Sequence, residues 1–132
     1  SGFDIESASL FGAGMNLYKE GSSLHPHTDF NYNNDISAYR CLNLLFYLNS
    51  SWCKEDGGCL QLWEKDMSSF IDIEPITNRL VVFATNSETP HSVSIVKNNS
   101  DRKTLSVDYY VSIPEALIDD KPHRTLWRKS GD

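Results

Sequence analysis

Hydrophobicity alternates with a period of two along almost the whole chain, and no long stretch carries the three-to-four-residue spacing of an amphipathic helix. Alternation sends successive side chains to opposite faces of an extended backbone, so this pattern specifies sheets with two distinguishable faces. Within residues 40–49, Leu42, Leu44, Phe46 and Leu48 alternate against Cys41, Asn43, Leu45 and Tyr47, which predicts a strand with one strongly apolar face. Strand pattern recurs over residues 15–19, 24–30, 59–63, 79–85, 91–96 and 102–112. Turn-forming clusters separate them: Gly21-Ser22-Ser23, Lys54-Glu55-Asp56-Gly57-Gly58, residues 75–78 and residues 98–101. About seven short strands with turns at roughly ten-residue spacing predict an all-β sandwich, barrel or jelly roll. Residues 114–120 are expected to add one short helical turn. With no repeat, low-complexity tract or linker, residues 1–132 are expected to form a single domain.

Composition removes several function classes. The 12 Lys+Arg against 18 Asp+Glu give a net charge of −6, and the only basic cluster, residues 121–129, is short. Such a chain is a poor partner for a phosphate backbone, so no nucleic acid is expected. At 39% hydrophobic and 11% aromatic residues the chain can bury a core and is not of disordered composition. No run reaches membrane-span length and no signal-peptide pattern opens the chain, so no membrane partner is expected. Cys41, Cys53 and Cys59 are odd in number and form no CxxC, which favours a reducing, cytoplasmic setting. Asn49-Ser50-Ser51 and Asn98-Asn99-Ser100 match the glycosylation pattern, but so short a motif matches by chance. The Ser1-Gly2 start without methionine reads as a tag remnant on an excised domain, and a monomer is expected.

The densest polar signal is Leu24-His25-Pro26-His27-Thr28-Asp29-Phe30. On a strand, residues 25, 27 and 29 project from one face, so His27 and Asp29 could grip one metal ion from the same side. A third ligand is needed, and His91, opening an apolar strand, is the candidate. Two histidines and a carboxylate on one face of an iron leave the opposite positions open for a co-substrate and dioxygen. By itself HxD is a weak motif that also arises by chance. In the last strand Arg102, Thr104 and Ser106 share one face and Leu105, Val107, Tyr109 and Val111 the other. An arginine on an interior polar face is costly without an anion, so an inward Arg102 implies a buried acid ligand; a surface arginine is the alternative.

Taken together and in order, His27-x-Asp29, His91 and Arg102 resemble the 2-oxoglutarate- and Fe(II)-dependent dioxygenases, most closely their prolyl hydroxylase branch. The resemblance is carried by Leu24 to Asp29, by Leu44-Leu45-Phe46-Tyr47-Leu48-Asn49 and by Asp56-Gly57-Gly58-Cys59-Leu60. It continues through Arg79-Leu80-Val81-Val82-Phe83, Pro90-His91-Ser92-Val93 and residues 102–110, so that a catalytic core spans about residues 14–113. The resemblance implies a double-stranded β-helix, or jelly roll, with a minor peripheral helix. It implies Fe(II) on His27, Asp29 and His91, with Arg102 holding the far carboxylate of 2-oxoglutarate and Tyr47 donating its hydroxyl to the same group. Tyr18, Ser106, Leu60 and Val93 match further residues of the co-substrate pocket, with plain packing as their alternative.

The implied reaction couples oxidative decarboxylation of 2-oxoglutarate, with O2, to hydroxylation of an unactivated C–H bond, giving succinate and CO2; ascorbate is the implied reductant. The branch favours a proline-containing peptide or protein, hydroxylated at ring carbon four. Arg40 matches an arginine near the substrate, and residues 31–39 read as a mobile loop over the peptide. Asp108, on the inner face beyond Ser106, is a further substrate candidate; it departs from the bulky aromatic of animal oxygen-sensing relatives, which puts the same peptide specificity in doubt, and Trp63 is a wall of the substrate groove or plain core. Ligation needs neutral imidazoles, so metal affinity is expected to fall at acid pH. His25-Pro26-His27 also suggests a cupin site, but no glutamate follows where a cupin needs one. His25 is then a neighbour of the site or a surface residue, and His123 is expected to face solvent. Two further readings stay open: an oxygenase acting on another side chain or small molecule, and a catalytically silent β-helix used as a binding module.

Overall fold

A computed structural model describes residues 5–6, 12–113 and 119–129. The regular structure of the described residues is almost entirely strand, in the order β1 (Ile5–Glu6), β2 (Gly14–Tyr18), β3 (Leu24–Thr28), β4 (Tyr32–Asn33), β5 (Ala38–Tyr47) and β6 (Leu60–Trp63). There follow β7 (Phe70–Ile73), β8 (Leu80–Ala84), β9 (His91–Val93), β10 (Arg102–Val111) and β11 (Leu126–Trp127). The one helical element among the described residues is a single 3-10 turn, Lys54–Asp56. The helical turn expected over residues 114–120 falls outside the described residues except for 119 and 120.

Two antiparallel sheets result. The major sheet runs β1-β10-β5-β4, with β2 also pairing β10 and β8 also pairing β5; the minor sheet runs β11-β3-β9-β6-β7. Side chains from both sheets line one cavity of about 330 Å³, the jelly-roll arrangement that the resemblance implies and one of the three architectures that the alternation pattern leaves open.

The register fixes which face looks inward. Thr104 of β10 lies opposite Tyr47 of β5, and Arg102 opposite Tyr18 of β2. All but Tyr18 are nearly fully buried. Leu105 lies opposite both Met15 and Phe46, Phe46 opposite Leu80, and Leu44 opposite Val82. The strongly apolar stripe of β5 therefore points out of the barrel, while the face carrying Asn43 and Tyr47 points in. An ordinary two-sheet core would have the reverse polarity; here the inside is partly polar because it is a site.

Four of the strands lie outside the expected set: β1, β4, β7 and β11. The expected loop over residues 31–39 is a hairpin instead, with Tyr32 paired to Tyr39 and Asn33 to Ala38. Buried Asn31 anchors it, donating to the carbonyls of Asp120 and Lys121 and accepting from the His123 amide. His123 is correspondingly not free in solvent: its side chain is 15% exposed and lies 3.4 Å from Asp120. His25 is exposed, as expected.

Candidate active site

Strand β3 delivers His27, the residue just past its end delivers Asp29, and β9 delivers His91 directly opposite His27 in the ladder. Cross-strand pairing in this register brings the two imidazoles to a centroid separation of 4.4 Å. One ligand atom from each of His27, Asp29 and His91 can be chosen so that all three lie within 4.8 Å of one another. Both histidines are buried, at 5% and 7% exposure.

Backbone carbonyls set the tautomers. His27 Nδ1 lies 2.8 Å from the His25 carbonyl and His91 Nδ1 lies 3.2 Å from that of Thr89. A carbonyl only accepts, so each Nδ1 carries a proton and each Nε2 is the nitrogen left for an ion. The Nε2 atoms face Asp29, at 3.1 Å from Oδ1 for His27 and 3.4 Å from Oδ2 for His91. Burial works against the Asp29 carboxylate. The close contacts with the His27 and His91 imidazoles, together with the positive charge of Arg40, outweigh it and hold Asp29 well below the usual carboxylate range.

Arg102 lies on the floor of the barrel at 2% exposure. Its Nε donates to the Gly58 carbonyl (2.6 Å) and Nη1 to Thr104 Oγ1 (3.0 Å), and its guanidinium lies 5.2 Å from the ring centroids of Tyr18 and Tyr47. Among the described residues no carboxylate lies within ion-pair distance of it, and burial pulls its pKa below the ordinary guanidinium value. The Tyr47 hydroxyl, also buried, has no hydrogen-bond partner there. A guanidinium without a counter-charge beside an orphaned phenol is an anion site, since the buried charge is uncompensated and the phenol has lost water without replacing it.

The structure brings together most of the residues that the sequence singles out. Tyr18, Arg40, Leu60, Val93, Ser106 and Asp108 line the same cavity as the histidines and Asp29. Ser106 is tied to β2, accepting from Asn16 Nδ2 at 2.9 Å. Trp63 is not brought in: it points to the outer face of the minor sheet, where its Nε1 donates to Ser92 Oγ (2.7 Å) and its ring packs on Phe70. The alternation accounts for this, because Leu60 and Leu62 take the inward positions of β6.

Sequence reasoning did not single out Asn43, Phe83 and Trp127. Phe83 packs edge-on against His91 and Trp127 lies 5.0 Å from the His27 ring, so each imidazole has an aromatic neighbour. The inward position of Asn43 follows from the parity of β5; Trp127 has no such signal because its strand, β11, is two residues long.

The model of the 2OG-Fe(II) oxygenase superfamily matches residues 13–110. The chain belongs to that superfamily. Among curated proteins it is similar to human prolyl hydroxylase EGLN3, at 33% identity over 92 residues, which is 69% of this chain and 37% of that protein. Among solved structures it is similar to a Trichoplax adhaerens prolyl hydroxylase in complex with a hypoxia-inducible-factor peptide fragment. That match has a TM-score of 0.64 and 27% identity, covering 82% of this chain and 46% of the other. A Pseudomonas putida prolyl-4-hydroxylase matches with TM-score 0.58 and 30% identity, over 75% of this chain and 50% of the other. The chain thus spans under half the length of the curated relative it matches.

Membership in this superfamily brings Fe(II), 2-oxoglutarate and O2 as the groups the site must fit, and the described residues fit them. Two imidazole Nε2 atoms and one carboxylate on one face suit Fe(II). The unpaired Arg102 and the orphaned Tyr47 hydroxyl suit the carboxylate of a dicarboxylic acid.

Proposed function

We propose that this chain is the catalytic domain of a 2-oxoglutarate- and Fe(II)-dependent dioxygenase that hydroxylates prolyl residues in a peptide or protein. The observation that carries this reading is that the His27–Asp29–His91 cluster and the anion site of Arg102 and Tyr47 are built into one barrel. When bound, Fe(II) with 2-oxoglutarate and O2 supplies the oxidising power for C–H hydroxylation, releasing succinate and CO2.

The chain's own residues have three tasks. His27, Asp29 and His91 hold the metal from one side. Arg102 anchors the far carboxylate of the co-substrate in the barrel floor, with Tyr47 donating to the same group. Leu60, Val93 and Tyr18 form walls around the co-substrate, and Ser106, held by Asn16, borders it from β10. Guanidinium and phenol are already desolvated, so little reorganisation is needed when the co-substrate arrives. The peptide approaches the part of the cavity that Arg40 and Asp108 line. Support for a prolyl substrate comes from the similarity to prolyl hydroxylases at both the sequence and the structure level. The three unpaired thiols, Cys41, Cys53 and Cys59, support a reducing, cytoplasmic setting.

The test is an anaerobic titration with Fe(II) and 2-oxoglutarate, read by the visible charge-transfer band, with Arg102→Ala alongside. The band is expected for the wild type and at much higher co-substrate concentration for the variant. Absence of a band in folded wild type would reject the oxygenase reading in favour of a binding module. Mass spectrometry on proline-rich peptides then reads a gain of one oxygen on proline; turnover with oxygen on another residue would reject the prolyl substrate.

A further inference from the structure

Arg40 and Asp108 are more tightly engaged with the protein than rim residues awaiting a peptide would be. Their side chains are each only 8% exposed. Asp108 Oδ1 accepts from Arg40 Nη2 in a short ion pair and from Asn43 Nδ2 at 2.6 Å. The second arm of the guanidinium, Nη1, reaches Asp29 Oδ2 at 3.3 Å. Gly12 closes over the pair: a Cβ at that position would lie 2.2 Å from Asp108 Oδ2.

A backbone irregularity brings Arg40 to this place. Tyr109 pairs with Leu42 but Tyr110 pairs with Arg40, so Cys41 is an extra residue in β5. The bulge reverses the parity of the strand, and Arg40 joins Asn43 and Tyr47 on the inward face instead of opposing them. Asp108 stands directly opposite Asn43 in the same ladder.

The two oxygens of Asp29 are therefore inequivalent within the protein itself. Oδ2 carries Arg40 and Oδ1 does not. We propose that Asp108, braced by Asn43, holds Arg40 on Oδ2 of Asp29, making Arg40 and Asp108 positioning residues that present Oδ1 as the single metal-ligating oxygen. This rests on the oxygenase reading of the triad and gives Arg40 and Asp108 a role that precedes any peptide. A carboxylate held to one oxygen leaves the remaining positions on the ion to co-substrate and O2.

The proposal is tested with Co(II) as the probe, without peptide or turnover, reading affinity and the d–d absorption of the bound ion. The proteins compared are wild type, Arg40→Gln, Asp108→Asn and the Arg40→Gln/Asp108→Asn double variant. Partners of metal ligands typically change metal affinity by 10–100-fold when removed, so each single variant is expected to bind Co(II) roughly 10-fold more weakly with an altered d–d spectrum. The double variant is expected to cost no more than one single variant, because both act through one contact. It also removes both charges of the Arg40–Asp108 pair together, so it remains readable if a single variant fails to fold.

A simple charge effect predicts something different. Removing the positive Arg40 would then tighten binding, removing Asp108 would weaken it, and the double variant would return near wild type. That pattern overturns the proposal. So does an unchanged Co(II) affinity and spectrum with only the peptide KM raised, which would make both residues substrate contacts. If wild type binds no Co(II), the oxygenase reading fails and the proposal fails with it.

Discussion

At the scale of single residues, Tyr47 separates folding from binding. Its hydroxyl is buried without a partner, which costs the folded chain on the order of 1–3 kcal/mol. Tyr47→Phe is therefore expected to leave thermal stability unchanged or to raise it, while weakening 2-oxoglutarate binding by roughly 10-fold, the equivalent of one hydrogen bond to a charged group. Differential scanning calorimetry and co-substrate titration check the two halves separately; a destabilised variant would mean that the hydroxyl is satisfied in the fold. Burial pushes the Tyr47 phenol upward, with the Arg102 charge only partly opposing it. The folded state then keeps a proton that the unfolded state loses, so stability must fall as pH rises past the ordinary phenol value of about 10. Urea midpoints between pH 8 and 11 should fall more steeply for wild type than for Tyr47→Phe. Tyr110, also shifted upward, is common to both proteins and cancels in the difference. Asn49 is a buried polar group that is satisfied: its side chain donates to the Pro75 carbonyl and accepts from the Lys103 amide, so the asparagine of its glycosylation motif is part of the packed structure.

At the scale of elements, the turn before β6 places Arg102. Gly57 and Gly58 both have positive φ, at 69° and 64°. A Cβ on Gly58 would lie 2.9 Å from Arg102 Cδ, and the Gly58 carbonyl is the acceptor for Arg102 Nε. Gly58→Ala is expected to destabilise the chain by roughly 1–3 kcal/mol, from strain at a left-handed position plus the close contact. It should also weaken 2-oxoglutarate binding by displacing the guanidinium, whereas Gly21→Ala, with φ 83° and open space around it, should carry the strain alone. Equal effects of the two on co-substrate affinity would show that Gly58 does not position Arg102. The long strands and the triad were legible because β3, β5, β9 and β10 follow a period of two and the polar residues fall in phase with it. Most of what was not legible breaks that phase or is too short to have one; β7, as long as β6 and in regular register with it, is the exception. The Cys41 bulge reverses parity at Arg40, and β1, β4 and β11 have two residues each. Trp63 shows the same limit, since an aromatic beside the site in sequence lies on the far face once Leu60 and Leu62 point inward.

At the scale of the molecule, the outer face of the major sheet is the unbalanced feature. Met15, Leu17, Leu80, Val82 and Leu105 are 65%, 49%, 54%, 51% and 40% exposed, and the register joins them across β2, β10, β5 and β8. Contiguous apolar surface of this kind favours association, whereas scattered exposed apolar residues do not. The net charge of −6 opposes it by mutual repulsion, and that repulsion is screened within about 8 Å at physiological ionic strength. The two forces respond oppositely to salt. The 132-residue chain is therefore expected to sediment as a monomer at low ionic strength and low concentration, and to associate as either is raised. Leu80→Lys/Val82→Lys should abolish the salt-induced association, because it puts charge at the centre of the patch. The same variant should leave Co(II) binding unchanged, because positions 80 and 82 face away from the cavity. Association that persists in the double variant would place the contact elsewhere, and a loss of Co(II) binding would mean that the two faces of the sheet are coupled through β5. The same alternation that points Asn43 and Tyr47 at the site points the apolar stripe outward, so one strand pattern sets both the chemistry inside the barrel and the exposure outside it.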